Sequence, residues 1–343
     1  MQAVKVIQVK GNHFAAGYMI GRKTAKDIQR ILRKQKKDEH TLPSGARSSR
    51  ILLNRFKKRC KCTFPNYYKE LEGMAEGANV PFDQIFYRNI REIALLNKQR
   101  NKLGGCTTIV FPHKNGFLVG HNEDAYKDNT IFVLKAKIGS DPAFLAVNYF
   151  GMLPGFSVSI NQNGIFQLSN YLESDKIVEG NPCSFLLRAT LAAKNINSAH
   201  KMLLERSSSE AYMYMQKKQA VFIEAHPRKI EIKKIKQSFV HTNHFTFSSM
   251  RKCQVPINTK ETATLFRRKR ALQISKSAGS IPLLKRMLSD HQQYPESICQ
   301  HGFNDFHTIA SVLFDSSKKE LLICKGNPCN DSYSKYSLDQ DFI

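Results

Sequence analysis

Gly104-Gly105-Cys106-Thr107-Thr108-Ile109-Val110-Phe111 is where this chain changes character. Before it runs Asn97-Lys98-Gln99-Arg100-Asn101-Lys102, a basic, loop-like segment. After Cys106 begins an apolar run rich in β-branched residues, which reads as a strand. The two glycines ahead of the cysteine open backbone conformations closed to other residues. Three roles fit Cys106 on these grounds: a small buried core residue, a nucleophile on an exposed turn, or a residue that becomes a chain terminus after cleavage.

The pattern differs on the two sides. Upstream, residues 1–10 alternate apolar and polar and read as a strand, without the apolar core of about 7–15 residues that marks a signal peptide. Ala15 to Lys37 sets Met19, Ile20, Ile28, Ile31 and Leu32 on one apolar helical stripe. Residues 38–50 read as a loop. Tyr67–Ala78 and Phe82–Leu96 read as two further helices joined at Val80-Pro81, and Pro81 suits a first helical turn. Downstream, strands take over: Thr107–Pro112 with Phe117–His121 around Lys114-Asn115-Gly116, Ile131–Ile138 with Ala143–Tyr149, and Ser157–Ile160 with Ile165–Ser169 around Asn163-Gly164. Residues 183–205 read as helical, 212–215, 220–225 and 229–235 as strands, and 261–277 and 282–289 as helices. Ile309–Phe314 and Glu320–Lys325 close the chain as a strand pair. Many strands with helices grouped around them predict an α+β layered fold.

With 343 residues, 41% of them hydrophobic and 10% aromatic, the chain has material for a large core and is neither fibrous nor wholly disordered. Its net charge of +25 is uneven, because residues 1–105 hold 23 Lys/Arg against 8 Asp/Glu. Such an excess favours anionic partners without choosing among nucleic acid, acidic lipid and carboxylated small molecules. No run of about 18 apolar residues predicts a spanning helix, and the expected location is cytoplasmic. The eight cysteines do not suggest a disulfide scaffold. Cys60-Lys61-Cys62 and Cys324-(x)4-Cys329 lack the paired spacing of a zinc site, so no metal is expected. The His241/His244 pair has no third ligand placed by spacing.

A thiolate nucleophile needs a base. An internal cysteine borrows one, whereas a cysteine at a new N-terminus carries its own α-amine, with an ordinary pKa of about 8. Cleavage of Gly105–Cys106 creates that arrangement, and Gly105 leaves the carbonyl open to the thiol. Eighteen residues on, Gly120-His121-Asn122-Glu123-Asp124 ends the first hairpin, so Asp124 is expected beside Cys106. Asn170 and Asn243 end strands and offer uncharged amide donors for an oxyanion, although Asn at a strand end is commonly a turn former.

Gly105-Cys106-Thr107-Thr108, Gly120-His121-Asn122-Glu123-Asp124 and His241-Thr242-Asn243-His244, in that order, resemble the acyl-coenzyme A:6-aminopenicillanic acid acyltransferase family of self-processing N-terminal nucleophile hydrolases. Gly11, Gly17 and Gly21 match its early glycines. Leu71-Glu72-Gly73-Met74-Ala75-Glu76-Gly77-Ala78 and Asn89-Ile90-Arg91-Glu92-Ile93 look like its pre-cleavage helices, and Tyr294-Pro295-Glu296-Ser297-Ile298-Cys299 and Phe314-Asp315 are similar to its C-terminal part. The resemblance implies a four-layer αββα sandwich and autocatalytic cleavage between Gly105 and Cys106. It implies Cys106 as nucleophile, the freed amine as base, Asp124 as active-site carboxylate and Asn243 as oxyanion-hole group, with Asn170 a further match. Two positions depart from the pattern. Asp305, with His307 nearby, stands where the penicillin acyltransferase has an active-site Arg, and His121 stands where related bile salt hydrolases carry one. These three are candidate substrate-binding residues.

The expected architecture is a basic helical segment, residues 1–105, and a catalytic segment, residues 106–343, forming one globular unit that stays associated after cleavage. The expected activity is amide hydrolysis or N-acyl transfer on a linear carbon–nitrogen amide through an acyl-enzyme on Cys106. No cofactor is expected, although a coenzyme A thioester would serve as acyl donor and an anionic substrate suits the charge. Two other readings stay open on the same residues: a catalytically inactive scaffold, and a nucleic-acid-binding protein using the Arg30–Lys37 and Lys57–Lys61 basic clusters, which no aromatic-rich RNA motif accompanies.

Overall fold

The structure, a computed structural model, describes residues 4–37, 47–90, 92, 105–174, 176–255, 262–275, 278–302, 306–330 and 332–338. Among them, fourteen strands form two sheets. The first sheet has the order β1 (Val6–Gly11), β4 (Ile131–Ile138), β5 (Phe144–Tyr149), β6 (Ser159–Asn161), β7 (Phe166–Tyr171), β8 (Glu210–Gln216), β9 (Gln219–His226) and β10 (Lys229–Lys234). The second has the order β11 (Phe239–His241), β2 (Gly105–His113), β3 (Gly116–Tyr126), β12 (Phe306–Asp315), β13 (Glu320–Lys325) and β14 (Ser334–Tyr336). Only β1 and β4 pair in parallel.

Side-chain alternation along each strand builds the layers. Val110, Val119, Val312 and Phe314 of the second sheet meet Leu145, Val147, Phe166 and Leu168 of the first in one shared core. The intervening residues turn outward. Phe132, Leu134, Phe144 and Ala146 pack beneath α1 (His13–Lys37), α3 (Pro65–Gly77) and α4 (Phe82–Arg88). Tyr212, Tyr214 and Ile223 pack on α5 (Cys183–Thr190) and α6 (Ile196–Lys201). On the other side, Ile109, Phe111, Leu118 and Leu313 pack on α7 (Thr262–Ile274) and α8 (Ile281–Leu288). The result is the four-layer αββα sandwich. No helix among the described residues is long and apolar enough to cross a membrane.

The basic N-terminal segment is part of this unit. It supplies β1 to the first sheet and α1, α3 and α4 to the layer above it. Glu70 of α3 receives a bidentate pair of hydrogen bonds from Arg188 of α5, Nε at 2.9 Å and Nη2 at 2.6 Å, and both side chains are buried. Arg59 pairs with Glu205, and Lys34 with Asp128. Part of the positive charge is thus matched by acids from the downstream segment. Single exposed pairs of this kind contribute little, so the apolar layer shared with Phe132, Leu134, Phe144 and Phe185 is the main tie, alongside the β1–β4 ladder, with the buried Glu70–Arg188 pair fixing the fit.

Sequence and structure differ at a few elements. Residues 47–50 of the expected 38–50 loop begin α2 (Arg47–Thr63), while 38–46 lie outside the described residues. Leu53, Phe56 and Cys60 form its buried stripe, which the surrounding basic residues obscure in the sequence. The expected helix over Phe82–Leu96 is interrupted after Arg88, where Asn89 caps α4, donating through Nδ2 to Ile85 O and also to Gly151 O, and residues 91 and 93–96 lie outside the described residues. The expected helix over 183–205 breaks, because Asn195 forms a capping box with Ser198 and starts α6 afresh. β14 was not anticipated from the sequence.

The α1–α3 crossing is close enough to require glycine. A Cβ on Gly21 would lie 2.2 Å from Met74 O, and one on Gly73 would lie 2.1 Å from Phe14 O. Backbone oxygens cannot give way as a flexible side chain does. Gly21→Ala and Gly73→Ala are each expected to lower stability by about 1–3 kcal/mol, read as an earlier urea midpoint at unchanged slope. An unshifted midpoint would refute the close-crossing account.

Candidate active site

The register of the β2–β3 hairpin places the chemistry. Gly105 pairs with Asp124, Cys106 with Glu123, Thr107 with Asn122 and Thr108 with His121. Alternation then divides these residues between two faces. Cys106, Thr108, His121 and Glu123 point between the sheets, like Val110 and Val119. Thr107, Asn122 and Asp124 point toward the helices, like Ile109 and Leu118. Cys106 lies inside the strand and is 4% exposed, so it is not on an exposed turn. Gly105 is half-buried, and Gly104 lies outside the described residues.

On the inner face the thiol meets a carboxylate. Cys106 Sγ donates to Glu123 Oε1 at 3.6 Å. The same oxygen accepts from Tyr149 Oη at 2.8 Å, while Oε2 accepts from Ser157 Oγ and contacts His121 Nε2 at 3.1 Å. Burial pushes the Glu123 carboxyl up, but the His121 hydrogen bond and charge, with Ser157 and Tyr149, outweigh it and leave Glu123 below the usual carboxylate range. Burial pushes the Cys106 thiol well above its ordinary value, reinforced by Glu123 and Asp124 and opposed by Arg267. The thiol is therefore protonated, with its proton directed at Glu123.

Further along the same face, Thr108 Oγ1 donates to Asn170 Oδ1 at 2.8 Å and contacts His121 Nδ1 at 2.9 Å. Asn170 is carried in by β7 and is buried, and its Nδ2 has no hydrogen-bond partner. A buried amide donor with nothing to bond is costly, and it is poised for an oxygen that arrives later.

On the other side of the strand, Asn243 and Arg267 hold the backbone of Cys106, and Asp124 lies close to Arg267. Asn243 follows β11, whose His241 pairs with Thr108, so it falls beside Cys106. The Cys106 N–H donates to Asn243 Oδ1 at 2.8 Å. Arg267 Nη2 donates to that oxygen at 2.9 Å, and Asn243 Nδ2 donates to Tyr171 O at 3.1 Å. Two donors at one end and a carbonyl at the other fix the amide orientation. Asn243 thus faces Cys106 with its acceptor, not with the donor an oxyanion needs.

Arg267, on α7, also donates through Nη1 to Cys106 O at 2.6 Å and Thr107 Oγ1 at 2.8 Å. Asp124 Oδ1 accepts from Thr308 Oγ1 at 2.7 Å. Its Oδ2 lies 3.9 Å from Arg267 Nη1, is buried and has no hydrogen bond. Burial raises the Asp124 carboxyl from its usual 3.8 to about 6, against the pull of Arg267 and Thr308.

The remaining expected residues fall elsewhere. His121 is buried in the inner network rather than open to a ligand. His307 is on β12 with its ring against Gly302, where a Cβ would meet it at 2.6 Å. Asp305 lies outside the described residues. His241 and His244 are engaged in hydrogen bonds, His241 Nε2 with His244 O at 3.1 Å and His244 Nδ1 with Thr264 Oγ1 at 2.9 Å. Burial lowers both imidazoles, His244 to about 3.

Sequence reading missed Glu123 as the thiol's partner, and it missed Arg267. Arg267 stands in Arg267-Arg268-Lys269-Arg270, where nothing marks one cation over the next. Helical phase is the signal that could have found it. Thr264, Arg267 and Ala271 share one face, all three are buried, and Thr264 Oγ1 accepts from Asn243 N at 2.8 Å.

This chain belongs to the acyl-coenzyme A:6-aminopenicillanic acid acyl-transferase family, whose model matches residues 112–330. It is 33% identical over 222 residues to a beta-alanyl-dopamine/carcinine hydrolase of Drosophila melanogaster, a match covering 59% of this chain and 57% of that one. The match therefore spans somewhat over half the length of that relative. It is 24% identical over 298 residues to the 40 kDa form of acyl-coenzyme A:6-aminopenicillanic-acid-acyltransferase of Emericella nidulans, covering 81% of this chain and 80% of that one. Among solved structures, a conjugated bile acid hydrolase from Clostridium perfringens aligns with TM-score 0.41 and 10% identity over 68% of this chain and 97% of that one.

The raised Asp124 pKa carries a stability consequence. Between about pH 4 and 6 the unfolded chain has lost this proton and the folded chain still holds it, so stability falls as pH rises through that window. In a Cys106→Ala background, Asp124→Asn is expected to gain up to about 3 kcal/mol relative to its parent between pH 4 and pH 6.5. Urea titrations at both pH values measure this, and a pH-independent difference would contradict the assignment.

Proposed function

We propose that this protein is a self-processing cysteine amidohydrolase or N-acyltransferase acting on linear carbon–nitrogen amides. The observation that carries the reading is the grip on the backbone of Cys106. Asn243 and Arg267 hold the nitrogen and oxygen of Cys106, while the thiol of the same residue faces a carboxylate.

Before cleavage Cys106 has no free amine, so another base must take its proton. Glu123, kept ionised at 3.6 Å from the sulfur, fills that role. The sulfur attacks the Gly105 carbonyl carbon, the carbon–nitrogen bond breaks, and the Cys106 nitrogen leaves with a proton as the new α-amine. Water then hydrolyses the Gly105 thioester, giving its hydroxyl to the glycine and its hydrogen to the thiol. Asp124, paired with Gly105 across the ladder, keeps Oδ2 without a hydrogen bond and is the acceptor assigned to the new amine.

In the mature protein the α-amine takes the thiol proton, and the Asn170 amide stabilises the oxyanion of the bound substrate. Asn243 holds the Cys106 nitrogen in both stages. The acyl-enzyme passes to water or to an amine, and a coenzyme A thioester would serve equally as acyl donor. Every group in this scheme comes from the chain. The two segments stay together through the β1–β4 ladder and the Glu70–Arg188 pair.

The hydrolase relative directs the substrate test to amides of β-alanine with aromatic amines. Purified protein is expected to release amine from such an amide, and Cys106→Ala to release none. Glu123→Gln is expected to slow maturation about 10²–10⁴-fold, followed as chain cleavage over time. Maturation of Glu123→Gln at the wild-type rate would remove Glu123 from the scheme, and amide hydrolysis by Cys106→Ala would remove the scheme itself.

A further inference from the structure

A second cluster of nucleophilic side chains lies outside the active site. His291, Cys299 and His301 come from the segment between α8 and β12, and Cys329 from the turn after β13. Their ligating atoms all lie within 4.8 Å of one another. Cys299 Sγ and Cys329 Sγ are 3.7 Å apart, His301 Nε2 is 3.4 Å from the first and 3.3 Å from the second, and His291 Nε2 is 2.9 Å from His301 Nε2.

These spacings can be set against tetrahedral zinc. Zinc–sulfur bonds of about 2.3 Å and zinc–nitrogen bonds of about 2.0–2.1 Å place two sulfurs about 3.8 Å apart, sulfur and nitrogen about 3.6 Å, and two nitrogens about 3.4 Å. The sulfur–sulfur distance and both distances from His301 to sulfur agree within about 0.3 Å, the two imidazoles need move apart by about half an ångström, and the ligand atom of His291 lies within 4.8 Å of both sulfurs. Two thiols and two imidazoles form a donor set that selects zinc over hard cations. Asn327 Nδ2 donates to Cys299 Sγ at 3.4 Å, the kind of outer contact that orients a thiolate ligand. A disulfide between the same sulfurs would need them at about 2.05 Å and would give the two histidines no part.

We propose that His291, Cys299, His301 and Cys329 form a structural zinc site of the Cys2His2 type. The ion joins two chain segments that lie 28 residues or more apart, since His301 and Cys329 are separated by that interval. The clipped segment reaches the catalytic hairpin. Ile298 O accepts from Asn122 Nδ2 at 3.0 Å, and Gln300 N donates to Thr308 Oγ1 at 2.9 Å, the hydroxyl that bonds Asp124. Zinc thus braces the outer side of the site without entering the chemistry. This inference stands whether or not the catalytic reading does.

Elemental analysis of the purified full chain is expected to give about one zinc per molecule. Cys329→Ser, which leaves the buried Cys299 in place, should fall below about one tenth of that, while Cys62→Ser should retain it. Chelated wild type should melt at a lower temperature and recover on adding zinc, but not magnesium. Absence of zinc in protein prepared without chelator, together with no zinc-dependent rise in melting temperature, would overturn the proposal. So would a Cys299–Cys329 disulfide found by mass spectrometry.

Discussion

Everything at the active site follows from one pairing, Cys106 opposite Glu123 in the β2–β3 ladder. A shift of one residue would exchange the faces of the strand. The thiol would then share its face with Asp124 or Asn122 and lose Glu123 as its neighbour. The short turn at Lys114-Asn115 and the buried residues on both faces of the hairpin hold the register. Sheet pairing thereby sorts two carboxylates onto opposite faces, Glu123 with the thiol and Asp124 with Thr308 and Arg267.

Burial then gives the two acids different tasks. Glu123 has His121, Tyr149 and Ser157 as hydrogen-bond partners besides the thiol, and is held ionised in spite of its enclosure. Asp124 has one hydrogen bond and a distant guanidinium, and burial prevails there. The proposed scheme uses this difference, with a proton acceptor beside the thiol and a carboxyl raised to about 6 across the ladder from Gly105. Arg267 and Asn243 contribute position: they fix both ends of the Cys106 backbone, so that the geometry does not rest on the strand ladder alone.

Much of this was legible in the sequence, and the unread parts have physical reasons. The Gly105-Cys106 transition and the hairpin at Lys114-Asn115-Gly116 locate β2 and β3 and bring Asp124 to Cys106, because a hairpin returns the chain to its starting end. Strand alternation also determines that Glu123, not Asp124, shares the thiol's face, although residue spacing alone does not announce it. Arg267 is hidden among neighbouring cations that composition treats alike. The His291–Cys329 cluster escapes spacing rules because its members are brought together by the fold across β12 and β13. α2 is hidden differently: its charged surface outweighs a narrow buried stripe in any average over the segment.

The central claim is that Cys106 becomes an N-terminus. Intact-mass measurement of the purified wild-type chain under denaturing conditions tests it most directly. The account predicts two species, of 105 and 238 residues, the larger beginning at Cys106, and a single 343-residue species for Cys106→Ala. A wild-type chain of 343 residues that hydrolyses amides at full rate would contradict it.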